Sequence, residues 1–185
     1  MSDSFLNKVD TSKVDSLMKE TELNVQYFNN TCTSIISKYS QGLDNLMQDL
    51  YVDCIKEDDP SMATLEKYYL ELSNMIYFMI GQLEQLGIHA DMAEKASNEV
   101  YSRGYIKASE IRDENGKKKP VDEIKALANT ESQYESVVAS IYDHAYKVVK
   151  GKIASGQDLM NCLRKIITSR TEAMKVDNYH GGNTQ

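Results

Sequence analysis

The sequence predicts an all-α protein: an elongated antiparallel helical bundle or coiled coil of three long helices plus a short one. Three observations carry this. Turn residues are scarce, with 9 glycines and 2 prolines among 185 residues, so there are few places to end a helix. Apolar residues recur at alternating spacings of three and four over most of the chain, the pattern of a helix that lays one seam on a partner. The interruptions of that pattern coincide with strong breakers, the prolines at 60 and 120 and the Asn115-Gly116 pair.

Residues 1–20 show no firm period and read as a polar arm or a short helix around Val14 to Met18. From there Cys32, Ile35, Tyr39, Leu43, Leu46, Leu50 and Cys54 set a seam for a first helix over about 22–56. It should stop before Pro60, which disfavours helix at Asp59 and suits the first turn of the next helix, with Asp59 as N-cap. The second seam runs through Leu65, Tyr68, Leu72, Met75 or Ile76, Met79, Leu83, Leu86, Ala90 and Ala93, for a helix over about 61–112. Gly81 and Gly87 weaken it by roughly 1 kcal/mol each, with a bend expected near Leu86-Gly87.

DENGKKKP at 113–120 ends that helix, and a short one follows over about 121–128. Thr130-Glu131-Ser132-Gln133 reads as a capping box opening the last helix. Its seam is Tyr134, Val138, Ile141, Ala145, Val148, Lys152, Gly156, Leu159, Leu163, Ile166 and Arg170, reaching about Met174, a rod of about 65 Å. A seam of that length asks for more than one partner helix, and Gly151 and Gly156 suit close approach of a neighbouring chain. A homo-oligomer is therefore expected, with Val148, Lys152, Gly156, Leu159, Leu163 and Ile166 at its interface. The organisation is an N-terminal arm and acidic helix at 1–58, a helical domain at 59–177 and a flexible tail at 178–185.

Net charge is −7, which argues against a general nucleic-acid coat. The total conceals an asymmetry: residues 115–175 hold 11 Lys/Arg against 7 Asp/Glu, and the remainder holds 10 against 21. A basic face, or an acidic partner docking on the other half, fits that split, and so do solvated helix surfaces of uneven charge. Cys32, Cys54 and Cys162 are odd in number and lack metal spacing, so they read as small buried hydrophobes in a reducing compartment. The start, MSDSFLNKVD, has no apolar core segment and is not read as a signal peptide, and MIYFMI at 75–80 is too short to span a bilayer. A cytoplasmic protein, away from membranes, is expected.

Chemistry-bearing patterns are few. YDHAYKVVKGK at 142–152 ends in Gly-Lys, as a phosphate loop does. The preceding glycine is missing, with Tyr146 in its place, and Ile153 stands where the hydroxyl residue belongs. The stretch reads as helix, with Lys147 and Lys150 outward and Lys152 on the seam. His89, His144 and His180 share no ligand spacing, and Glu131 with Glu135 is an exposed acidic pair of a common kind. No catalytic group, metal or cofactor is assigned, and the chain is read as a non-enzyme.

The nucleic-acid candidate is Tyr101-Ser102-Arg103-Gly104-Tyr105-Ile106-Lys107, which interleaves rings with cations, followed by Lys117, Lys118 and Lys119. Cations along the backbone and rings stacked on bases are what single-stranded DNA requires. The plainer reading of the same residues is a snorkelling helix end and a solvated turn.

The order of elements resembles the UvsY-type recombination mediators of tailed phages. The likeness begins at Ser61-Met62-Ala63-Thr64-Leu65 and continues through YYLELSNMIYFM, the basic and aromatic YSRGYIK, a polar Gly/Lys insert, DEIKAL, NTESQY and a terminal helix closing on LRKIITSR. It covers about 115 of 185 residues at the level of architecture, and the helix ahead of it and the acidic total depart from it. The resemblance implies a small helical ring-forming protein of the infected bacterial cytoplasm. Such a protein would bind single-stranded DNA at Tyr101, Arg103, Tyr105, Lys107 and Lys117 to Lys119, and help load a recombinase onto DNA coated by single-strand-binding protein. The alternative is a helical structural or adaptor protein that self-associates and binds a host or phage protein, or a small messenger, without nucleic acid.

Overall fold

The computed structural model describes residues 11–56, 59–112 and 116–181 and is all-α: every regular element among them is helical. Helix α1 spans Thr11–Leu50 and passes into a π-helical turn, Tyr51–Ile55; α2 spans Met62–Glu110, α3 Val121–Glu131 and α4 Gln133–Gly181. Residues 1–10 and 182–185, which hold part of the expected arm and tail, lie outside the described residues.

Residue pairs fix the packing. Gly87 lies beside Tyr146, Ile76 beside Gly156, and the Pro60 carbonyl accepts a hydrogen bond from Arg170 Nη1 at 2.6 Å, so α2 and α4 run antiparallel. Gly104 meets Ala128 of α3 in the same register, so α3 continues the line of α4 along α2. Cys32 approaches the Ile141 carbonyl and Asp44 binds Lys152, so α1 runs parallel to α4. The core is shared by α1, α2 and α4: Leu43, Leu46 and Leu50 join Leu65, Leu72, Ile76, Leu86, Ala145, Val149, Ile153 and Leu163.

Four boundaries differ from expectation, each for a local reason. Helix α1 begins by Thr11, since neither glycine nor proline intervenes before Gly42. The cap of α2 is Ser61, not Asp59: its hydroxyl accepts from the Thr64 amide at 3.1 Å, and Asp59 instead accepts from Arg170 Nη2 at 2.9 Å. The Thr130 capping box does not form. Its hydroxyl donates back to the Ala126 carbonyl at 3.0 Å, and α3 runs through Glu131. The break comes at Ser132 alone, whose amide still bonds the Ala128 carbonyl at 3.1 Å while its own carbonyl accepts from Ser136 at 3.0 Å. Finally, α4 runs to Gly181 and not to about Met174, so it takes in the first residues expected as a flexible tail.

The inner stripe of α2 follows the expected seam. In α4 it moves by one residue: Val149, Ile153 and Ile167 face inward where Val148, Lys152 and Ile166 were expected, and Tyr134, Val138 and Ile166 are exposed. A helix of 3.6 residues per turn drifts about 20° per heptad from a 3.5 repeat, enough to shift the stripe over so many turns. Gly156 is buried against Ile76 and Leu43, and Leu163 is buried in the core, so α1 and α2 of the same chain fill those places. Val148, Lys152 and Leu159 are half-buried at the edge of the stripe. Nothing lies within 4 Å of a Cβ built at Gly151.

Candidate nucleic-acid interface

The end of α2 that carries the candidate residues is built on small side chains. Gly104 and Ala108 are buried one turn apart, facing Ile124 and Ala128 of α3. A Cβ at Gly104 would sit 3.3 Å from the Ala128 Cα and 3.1 Å from Glu131 Oε2, so only glycine lets the two backbones come this close. Pro120 precedes α3, whose first turn holds Asp122 and Glu123, carboxylates favoured at a helix N-terminus.

Tyr101 and Tyr105, four residues apart, lie on one face with ring centroids 6.4 Å apart, and both are half-buried. Arg103 and Lys107 sit about 200° and 240° round the helix from Tyr101, on another face. Each is drawn to a carboxylate: Arg103 Nε stands 3.8 Å from Glu99, and Lys107 Nζ is 3.5 Å from Glu131 of α3. Rings and cations that alternate in sequence are thus separated in space.

The three lysines of the connection differ among themselves. Lys119 is half-buried and ion-paired with Glu123. Lys118 is exposed and forms an isolated antiparallel bridge with Arg112, which closes the connection around Gly116, the position with positive φ (74°). Lys117 is exposed and also engaged in a contact. Sequence reasoning named the cations but missed their carboxylates. Glu99, at four residues before Arg103, was legible as a helix pair; Glu131, 24 residues beyond Lys107, was not.

The lysines of 142–152 sort as their positions suggest. Lys147 pairs with Asp143 at 2.7 Å, Lys150 lies 5.8 Å from the Tyr146 ring centroid, and Lys152 turns inward to Asp44. His89 stacks on Tyr142 at 5.7 Å, and His144 lies 6.3 Å from Phe28. Among the described residues no three His, Cys, Asp or Glu side chains gather as a metal-ligand group, and no helix is long and apolar enough to cross a membrane.

No family model, no curated protein and no solved structure matches the chain.

Proposed function

We propose that this chain is a non-catalytic, self-associating helical scaffold, a coiled-coil-like bundle whose long surfaces bind other macromolecules. One observation carries the reading: α2 is apolar on two opposite faces. Its inner face holds Leu65, Leu72, Ile76 and Leu86, while Leu70, Tyr77, Ile88 and Met92 are exposed on the outer one. A contiguous exposed apolar face marks an interaction site, and the chain itself covers only the inner face of α2. Sedimentation velocity on the full chain tests this, and a monomer across the micromolar range would refute it.

A second reading has its own support. The paired rings of Tyr101 and Tyr105 beside the lysine-bearing connection suit single-stranded DNA, in keeping with the resemblance to phage recombination mediators, whose partners are a recombinase and a single-strand-binding protein. On this reading the cytoplasm of an infected bacterium is the setting. The paired state of Arg103 and Lys107 weakens it, because DNA would have to displace Glu99 and Glu131. Anisotropy titration of labelled single-stranded DNA at two salt concentrations decides it: phosphate binding must weaken steeply with salt.

A further inference from the structure

Two glycines inside the long helices have no packing reason to be there. Gly42, Gly87, Gly104 and Gly156 each have a neighbour within 3.3 Å of an added Cβ, whereas Gly81 of α2 and Gly151 of α4 have nothing within 4 Å. Both are exposed. Glycine weakens a helix interior relative to alanine, because its backbone has more freedom to lose and leaves peptide groups open to water.

The two also stand at one level. Ile76 lies beside Gly156, and Gly87 beside Tyr146. Gly81 is five residues beyond Ile76 and Gly151 is five before Gly156, so in the antiparallel pair they fall level with each other along the axis. Five residues turn a helix about 140° from the facing position, so each glycine opens to solvent while the contact continues behind it. Met79, Val149 and Ile153 belong to the core near this level. Met79 is unbranched and refits when its surroundings shift.

Helix α1 crosses the same level and is attached on both sides of it. Cys32 approaches the Ile141 carbonyl, and Leu43 lies beside Gly156. Between them α1 has no proline and no glycine before Gly42. Lys152, the residue after Gly151, reaches across to Asp44 and Ser40 of α1. A polar clamp between α1 and α4 thus sits directly on the weak level.

We infer that Gly81 and Gly151 form a hinge in the α2–α4 pair, and that α1, fastened at Lys152, is the splint that sets its angle. A lone glycine would be held by the continuous helix beside it; two at one level let both helices bend together. Hinges are a few residues, often small, that absorb the change in φ and ψ, and helices bend where their hydrogen-bonded ladder is weakest.

The test is NMR on the full chain. Residual dipolar couplings are fitted separately for amides on the two sides of the level, 62–78 with 155–170 and 84–104 with 133–147. A hinge gives the two sides alignments of different magnitude, and Lys152→Met should widen the difference by loosening the splint. Gly81→Ala/Gly151→Ala should remove it and make the chain insensitive to Lys152→Met. Neither added methyl meets a neighbour, so the double variant keeps the fold. Hydrogen exchange separates a hinge from local helix propensity. Gly81→Ala alone should slow exchange about 5-fold around residue 81 and also across the contact at 148–155, with Gly151→Ala doing the reverse. Asn98→Ala, at an exposed site away from the level, should slow exchange only near itself. One alignment for both sides in the wild type and in Lys152→Met overturns the hinge. So does a difference that survives the double alanine, or exchange effects confined to the substituted helix.

Discussion

Lys152 of α4 places its ammonium 2.7 and 2.6 Å from the two carboxylate oxygens of Asp44 on α1, and 2.9 Å from the hydroxyl of Ser40. Ser40 is fully buried and donates to Asp44 at 3.0 Å. The three groups lock α1 to α4 at one register within an otherwise apolar contact. A slip by one turn would part Lys152 from both Asp44 and Ser40, while Ser40 would keep its bond to Asp44 within α1.

The Lys152 and Asp44 side chains retain 32% and 48% exposure, so solvent screens part of the attraction. Lys152→Met should destabilise the chain by about 1 kcal/mol in urea unfolding. In a double-mutant cycle with Asp44→Asn the coupling should be about 0.5–1 kcal/mol and fall with added salt. Strict additivity of the two substitutions would show that the contact contributes nothing.

The second clamp joins the π-helical turn to α2. Tyr68, 3% exposed, donates to Asp53 Oδ2 at 2.5 Å. That hydrogen bond, then burial, then the charges of Asp53 and Asp49 hold the phenol well above the ordinary tyrosine range. The folded state thus retains a proton that the unfolded chain releases near pH 10. The stabilisation is complete below that pH and is lost as pH rises toward the folded value. Tyr68→Phe should cost about 1–3 kcal/mol at neutral pH and flatten the alkaline fall of stability. An unchanged alkaline limb in thermal melts between pH 9 and 11 would count against it.

Gly104 predicts how α3 is held. Its missing Cβ leaves room for the Ala128 backbone, which cannot swing aside as a side-chain tip can. Gly104→Ala gains about 1 kcal/mol of helix propensity. It should still destabilise the chain by about 1–3 kcal/mol through overpacking, with faster amide exchange across residues 121–131. A stabilised variant with unchanged exchange in α3 would show that the two helices can part freely.

The cysteines should separate by reactivity. Cys32 is buried, burial raises its thiol pKa, and its sulfur lies 3.9 Å from the Ile141 carbonyl; Cys162 is exposed. Attack requires an accessible thiolate. Under native conditions an aromatic disulfide reagent should modify Cys162 first, and Cys32 only on the timescale of unfolding. Equal rates at the two would show that the α1–α4 contact opens readily.

Much of this architecture was legible because it depends on period. The seam of α2 survives from sequence to structure, whereas Lys152, expected on the seam of α4, lies at the edge of its stripe, where Asp44 and Ser40 hold it. What failed was what a one-dimensional pattern does not encode. Thr130 and Gln133 have the letters of a capping box, yet the hydroxyl finds a carbonyl four residues back and the helix continues. Gly156 suited a neighbouring chain as well as it suits Ile76. The alternation of rings and cations over 101–107 implied one surface, whereas 100° per residue puts them on different faces. The apolar residues on the outside of α2 were visible in MIYFMI and its neighbours, but only the third dimension shows that they form a ridge.

The last prediction concerns the DNA reading and follows from its paired cations. If Arg103 and Lys107 hold phosphates, neutralising both to glutamine removes two contacts. The log–log salt slope should then fall by about 1.4, at ~0.7 per contact on single strands. Because DNA must first displace Glu99 and Glu131, Glu131→Gln should raise affinity by freeing Lys107, the opposite direction from the lysine substitution. Tyr105→Ala should cost ~1–3 kcal/mol with little change in slope if its ring stacks on a base. Lys147 and Lys150 serve as controls, the first already paired with Asp143 and the second laid over Tyr146. A slope that responds to Lys147 and Lys150 but not to Arg103 and Lys107 would move the contact to α4. No salt dependence in any variant would leave only the scaffold reading, because no backbone contact to DNA escapes the release of counterions.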